Sequence, residues 1–438
     1  MFGQLNSIFK TGISPNLSKI LGNVGWLLAE RVLRMAVGFL VLAWMARYLG
    51  AEQFGLLNYA LAFVSVFTTL SDLGLRHNIV IRDLVNQPDR KHEILGTVFL
   101  IQLLGGIVCM GLAILSIFWI RSDDSVSQLL VIIVAGTLLL NQSRVIDFWF
   151  QSQVQVKYSV LARNFAFLIV TATRVVLIQH QAPLIAFGFV VLAESCLNLV
   201  CLFFAYQFTG HRIQQWRFDR PRAHELLKLG WPLIFSGLAI SIYLRVDQIM
   251  LGQLADDTAV GVYSVVVRLS EVWLFVALAI VRSLTPSIVE AKKISETVYY
   301  DKLQKIASLL VLVAYVVIIP VSLFANSLVT LVFGEGYQAA GIVLAIHIWS
   351  AAFVFLGYLK GVWIATESLT QFALLSSVIG ALINIGLNYW LIPLYQSTGA
   401  AIATVISYCF ADYLICFFYP PSRRMGWIMT KAFILSRR

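Results

Sequence analysis

The sequence predicts an all-α integral membrane protein of twelve transmembrane helices. Two observations carry this. Hydrophobic residues make up 59% of the 438 positions and charged residues only 12%, against roughly 25% charged in ordinary soluble domains. Apolar runs of about 20 residues, enough to cross a hydrocarbon core roughly 30 Å thick, also recur along the whole chain.

The runs lie at roughly 21–46, 54–75, 94–120, 127–148, 159–178 and 183–208, then at roughly 229–252, 258–283, 305–333, 338–364, 370–391 and 396–419. The first follows a polar stretch and lacks a small-residue cleavage site, so it reads as a retained span rather than a signal peptide. The longest connection, 208–228, contains Pro221 and alternating charge and divides the chain into a six-span half at 1–208, a linker at 209–228 and a second half at 229–438 with a short basic tail. Six spans in each half make any repeat parallel. A weak echo supports one: Gly55-Leu56 and Asn58-Tyr59 match Gly261-Val262 and Tyr263-Ser264.

The net charge of +10 reads as a topology signal, not as a nucleic-acid footprint. With the N-terminus inside, about 21 lysines and arginines fall in inner segments and only Arg47 and Arg121 in outer ones, as the positive-inside rule requires. Both termini are therefore expected in the cytoplasm. Outer connections are too short for a folded catalytic module. The five cysteines fall inside apolar runs without metal or redox spacing, and no metal site or resident cofactor is expected.

A charge at the bilayer centre costs roughly 2.5–3.5 kcal/mol on insertion scales, so embedded ionisable residues face water or a partner. Arg31 and Arg34 lie near mid-depth of the first span; Glu30 and Arg34 are four apart and can pair, which leaves Arg31 without a local partner. Arg268 lies near mid-depth of the eighth span, and Glu271, three residues on, makes it either a structural ion pair or a functional cation. Arg144, Asp147 and Arg282 read as interfacial. Arg163, Arg174, Arg245, Asp247 and Lys360 are embedded without a clear local partner. Glu194, Asp72 and Asp412 are candidates for ion coupling, by H⁺ or Na⁺, because such carboxylates must gain and lose a cation; an inter-helix salt bridge is the competing reading. Asn384 and Asn388, four apart, either hydrogen-bond sugar hydroxyls or join helices.

The run "VLAWMARYLGAEQFGLLNYALAFVSVFTTLSDLGL" at 41–75, above all "ARYLGAEQFG" and "SDLGL" followed by basic "RHNIVIRD", together with "RVDQIMLG" at 245–252, resembles polysaccharide-export proteins, specifically O-antigen flippases of the Wzx type. The resemblance extends over essentially the whole chain. It implies membership of the wider superfamily of MATE-like exporters and peptidoglycan-precursor flippases, with two pseudo-symmetric six-helix bundles around a central cavity. It further implies alternating-access transfer of a polyprenyl-pyrophosphate-linked oligosaccharide, an O-antigen or related repeat unit, across the bacterial inner membrane. Arg31, Arg34, Arg268, Arg245, Lys360 and Asn384 are the residues expected to line the cavity. Expected partners are membrane lipids, a polysaccharide polymerase and a chain-length regulator. Arg suits phosphate because its planar fork binds two oxygens at once.

Two other classes compete. A membrane polysaccharide polymerase would need catalytic groups, yet only His347 of the six histidines falls in a span. A MATE-like drug exporter shares the fold, but arginine-rich spans argue against a cationic cargo. No GxxxxGK[ST] motif is present, so the chain carries no ATP-binding loop of that kind.

Overall fold

The computed structural model describes residues 15–75 and 77–435, with backbone alone for 15–33, 77, 78 and 236. No strand occurs among the described residues. Ten of their helices are long and apolar enough to cross a membrane. Two of the ten, Arg34–Ser71 and Thr370–Phe418, are interrupted by single non-helical residues, Gly50 (φ 71°, ψ 173°) and Gln396 (φ 48°, ψ −128°).

Each interruption reverses the chain. Beyond Gln396, Gly399 packs directly on the carbonyl of Leu391, which a straight helix would hold about 12 Å away. On either side of Gly50, the first arm places Arg34 against Asn164 and Tyr48 against Ala182, so it climbs alongside Val156–Gln179; the second arm descends to Asp72, which pairs with Arg144. Counting arms separately, the ten helices give twelve arms, equal in number to the apolar runs of the sequence. Glycine suits the first reversal because its positive φ costs an L-residue; Gln396 adopts a similar φ with a side chain.

In chain order we label the principal helices α1 (Pro15–Ser71), α2 (His77–Asn86), α3 (Lys91–Ile120), α4 (Ser125–Ala135), α5 (Arg144–Ser152), α6 (Val156–Gln179), α7 (Leu184–Phe208), α8 (Arg220–Leu254), α9 (Asp257–Ile294), α10 (Glu296–Leu323), α11 (Ala325–Phe333), α12 (Ala340–His347), α13 (Ser350–Thr366), α14 (Thr370–Tyr408) and α15 (Arg423–Phe433). Side-chain caps set several starts. Asp124, Asp219, Asp256 and Ser295 accept from the backbone N–H of Ser127, Arg222, Ala259 and Val298, satisfying donors that a helix N-terminus leaves unpaired. Large apolar side chains point outward, among them Leu115, Phe165, Phe204, Val316 and Trp390, which suits a surface solvated by lipid rather than water.

The segment expected as a linker is docked on the first half. Trp216 Nε1 donates to Tyr206 Oη at 3.2 Å, Arg217 N donates to His92 O at 3.1 Å, and Arg222 meets Asp83 of α2 at 2.8 Å with both side chains nearly buried.

At the opposite end, where the chain turns at Gly50 and Gln396, α1 and α9 cross closely. A Cβ on Gly55 would overlap the carbonyl of Asp257, and a Cβ on Gly261 would overlap that of Ala51. Each glycine thus seats the residue four positions before the other. This reciprocity is what a local two-fold axis produces, and it joins the two glycines of the sequence echo.

Candidate functional site

The α1–α9 crossing is locked at its turn end by Arg121. Its guanidinium meets Asp257 at 2.9 Å and Asp124 at 3.0 Å, donates to the Gly252 carbonyl, and lies 3.9 Å over the Tyr59 ring; Gln253 donates to Tyr59 Oη at 2.7 Å. Burial opposes the Arg121 charge, but the Asp257 carboxylate more than offsets it and holds the group above its ordinary pKa. Asp124 is held below the usual carboxylate range: burial works the other way, and hydrogen bonds from Ser127 with the Arg121 charge outweigh it.

Deeper between the same helices lies an apolar cleft of about 420 Å³, walled by Met35, Ala36 and Phe39 of α1 and by Leu269, Val272, Trp273, Phe275 and Val276 of α9. Arg34 immediately precedes the α1 wall and Arg268 the α9 wall. The two arginines expected at one depth thus neighbour in sequence the two walls of one cleft, and their side chains are not among its lining residues. Arg34 donates to Asn164 Oδ1 at 2.9 Å and lies 4.8 Å from the Phe167 ring centre. Arg268 stands 3.6 Å from Glu271, with side-chain exposures of 36% and 40%. That long, open pair leaves the guanidinium free to take a second anion. Arg245 of α8 is close enough for its charge to act on Arg268. The Arg31 side chain lies outside the described residues.

Two expected cavity residues sit elsewhere. Lys360 is buried, 3.1 Å from Asp412, and donates to Ser376 Oγ at 3.0 Å and to Ala411 O at 2.5 Å. Local spacing gave it no partner; tertiary packing supplies one through a π-helical turn, Cys409–Leu414, that carries Asp412. Asn384 is buried too, donating to Ser407 Oγ at 3.3 Å and accepting from Asn388 at 3.0 Å, so it joins helices instead of presenting an amide to a sugar. The other ion-coupling candidates are also paired: Glu194 with Arg174 at 2.8 Å, Asp72 with Arg144 at 3.4 Å.

Asp247 is an embedded carboxylate that makes no ion pair among the described residues. It is buried, and it accepts from Tyr263 Oη at 2.7 Å, Thr404 Oγ1 at 2.9 Å and Asn388 Nδ2 at 2.5 Å. No lysine, arginine or histidine bridges it among the described residues. Asn388 Oδ1 beside it is buried without a hydrogen-bond partner. A buried carboxylate among neutral oxygens is costly unless a proton or small cation neutralises it. The sequence marks Asp247 as embedded and the Asn384–Asn388 pair as facing one way; that α8 and α14 bring them together is a tertiary fact that spacing does not encode.

No curated protein matches the chain in sequence. Among solved structures it is similar to the lipid II flippase MurJ in an inward closed conformation (TM-score 0.71, 12% identity, 92% of this chain and 90% of that one). It is also similar to a multidrug resistance MATE family transporter of the MOP superfamily in an inward-facing conformation (TM-score 0.68, 14% identity, 91% and 96%). A third match is a MOP superfamily transporter from Pyrococcus furiosus (TM-score 0.53, 13% identity, 94% and 94%). These likenesses establish the fold. The polysaccharide biosynthesis protein family profile matches residues 20–292, more than half of the chain and inclusive of the motifs at 41–75 and 245–252. With ten membrane-length helices in a MATE- and MurJ-like arrangement, this chain is a multi-pass membrane protein that belongs to the polysaccharide biosynthesis protein family.

Proposed function

We propose that the protein flips a polyprenyl-pyrophosphate-linked oligosaccharide, an O-antigen or related repeat unit, from the cytoplasmic to the periplasmic leaflet of the bacterial inner membrane by alternating access. The observation that carries this reading is the open Arg268–Glu271 pair on α9, one residue before the wall of the apolar cleft that α9 shares with α1, with Arg34 one residue before the facing α1 wall. A polyprenyl pyrophosphate has the matching anatomy: a doubly anionic head for the guanidinium forks and a hydrocarbon tail for the cleft and the surrounding lipid. The bilayer keeps the tail, so the protein need shield only the head and sugars.

In this reading the halves at 1–208 and 229–438 rock about the α1–α9 crossing, both termini face the cytoplasm, and the Arg121 lock closes the periplasmic side. The higher TM-scores to inward-facing or inward closed structures than to an outward-facing MATE transporter (0.55) support that assignment of the closed end. Asp247, exchanging a proton or Na⁺ amid Tyr263, Asn388 and Thr404, is the coupling group. A polysaccharide polymerase and a chain-length regulator are the partners that would receive the product.

Surface glycan in a strain that depends on this protein tests the head-group role. Replacing Arg268 or Arg34 by Lys keeps the charge and loses the fork, so a partial defect is expected; Ala loses both, with a defect of roughly tenfold or more; Glu adds repulsion and is worst. Normal glycan from both Ala variants at normal expression contradicts the proposal.

A further inference from the structure

The amphipathic helix α15 carries a feature that transport of the cargo does not use. After the chain turns at Pro420–Ser422, α15 runs back beside the last span: Trp427 meets Phe417 edge-on with ring centres 5.6 Å apart, and Phe433 meets Tyr413 at 5.4 Å. Met425, Ile428, Met429 and Ala432 are buried against the bundle. Its other face, with Trp427 59% exposed, turns outward beside the first turns of α10.

Between α10 and α15 is a cavity of about 890 Å³. Lys305 of α10 and Lys431 of α15 reach it from opposite walls. Both are exposed, and neither makes an ion pair among the described residues. Arg424 lies 3.6 Å over the Tyr300 ring at the rim, where it also meets Glu296 at 3.5 Å. One carboxylate, Asp301, shares the lining. Leu309, Leu312 and Leu435 continue the wall in the direction that α10 enters the apolar bundle, each more than 40% exposed. Charge is thus ordered by depth: cations and aromatic rims at the level where hydropathy begins the span, near residue 305, and leucines immediately below.

We propose that this cavity binds an anionic glycerophospholipid of the surrounding bilayer, with its phosphate between Lys305 and Lys431 and its acyl chains along Leu309 and Leu312. Charge complementarity and the apolar floor favour a membrane lipid over a free anion. Two lysines that make no ion pair among the described residues line one concave wall from two helices, unlike basic residues scattered along a loop, and aromatic residues such as Trp427 sit well at headgroup level. The site would hold α15 against α10, independently of which cargo is carried.

The test is native mass spectrometry of the full-length protein purified in detergent and titrated with dioleoylphosphatidylglycerol or dioleoylphosphatidylcholine. The expected result is preferential retention of phosphatidylglycerol. In a Lys305→Gln/Lys431→Gln variant that elutes as the parent does, its tightest binding should weaken by about twenty-five-fold, since each lysine near an anionic lipid contributes roughly a factor of five. Lys293→Gln, an exposed lysine outside the cavity, should leave it unchanged. Equal retention of both lipids, parent-like binding by the double variant, or displacement by millimolar inorganic phosphate would each overturn the proposal.

Discussion

Arg34, Arg268 and Asp247 are polar in places where the bilayer makes polarity expensive, and their surroundings separate them by role. Arg268 keeps partial exposure and a long ion pair, which suits a group that must accept a transient anion, and Arg34 is part-buried against Asn164 and Phe167. Asp247 is closed in by hydrogen-bond donors that tolerate either a charged or a neutral carboxylate. Replacing it by Asn keeps the shape and removes a charge that has no counter-cation. We expect Asp247→Asn to hold or raise the thermal unfolding temperature in detergent, because an uncompensated buried charge costs several kcal/mol, while abolishing the response of transport to an imposed H⁺ or Na⁺ gradient. Retained gradient dependence would remove Asp247 as the coupling group. At this scale the sequence identifies which residues are embedded but not whom they meet. Lys360 and Asp412 are 52 positions apart, and Glu194 meets Arg174 across the α6–α7 turn; neither pairing has a local period to betray it.

The helices themselves were far more legible, since a run of apolar residues the length of a bilayer has few other stable fates. What hydropathy missed is what is not apolar enough to register, α2 and α15, amphipathic helices lying alongside the bundle; the π-helical turn that carries Asp412 lies inside an apolar run and leaves no mark on hydropathy. Nor does hydropathy show that the connection at 208–228 is held to the first half by Trp216, Arg217 and Arg222. The sequence echo around Gly55 and Gly261 has a steric cause in the α1–α9 crossing, where each glycine leaves room for a backbone carbonyl and no flexible side chain can yield. Gly55→Val should therefore push the two helices apart and destabilise the fold by about 1–3 kcal/mol or more, read as a lowered thermal unfolding temperature of the purified protein. Gly111, whose Cβ would meet nothing within 4 Å, provides the contrast: Gly111→Ala should leave that temperature unchanged or slightly higher. Equal loss in both variants would mean that the crossing is not a tight contact.

For the whole molecule, the fold joins two functional expectations that fold alone cannot separate, since related architectures belong to a lipid II flippase and to multidrug transporters. In the proposed reading the arginines favour an anionic, lipid-linked cargo, since a cationic drug near Arg34, Arg245 and Arg268 would meet repulsion. The most direct test is translocation by the purified protein in proteoliposomes, following a fluorescent polyprenyl-pyrophosphate oligosaccharide from one leaflet to the other by its accessibility to a membrane-impermeant quencher. The account predicts protein-dependent movement of the label that falls in the order wild type, Arg268→Lys, Arg268→Ala, Arg268→Glu. Absence of movement with correctly inserted wild-type protein, or movement indifferent to all three substitutions, would contradict it.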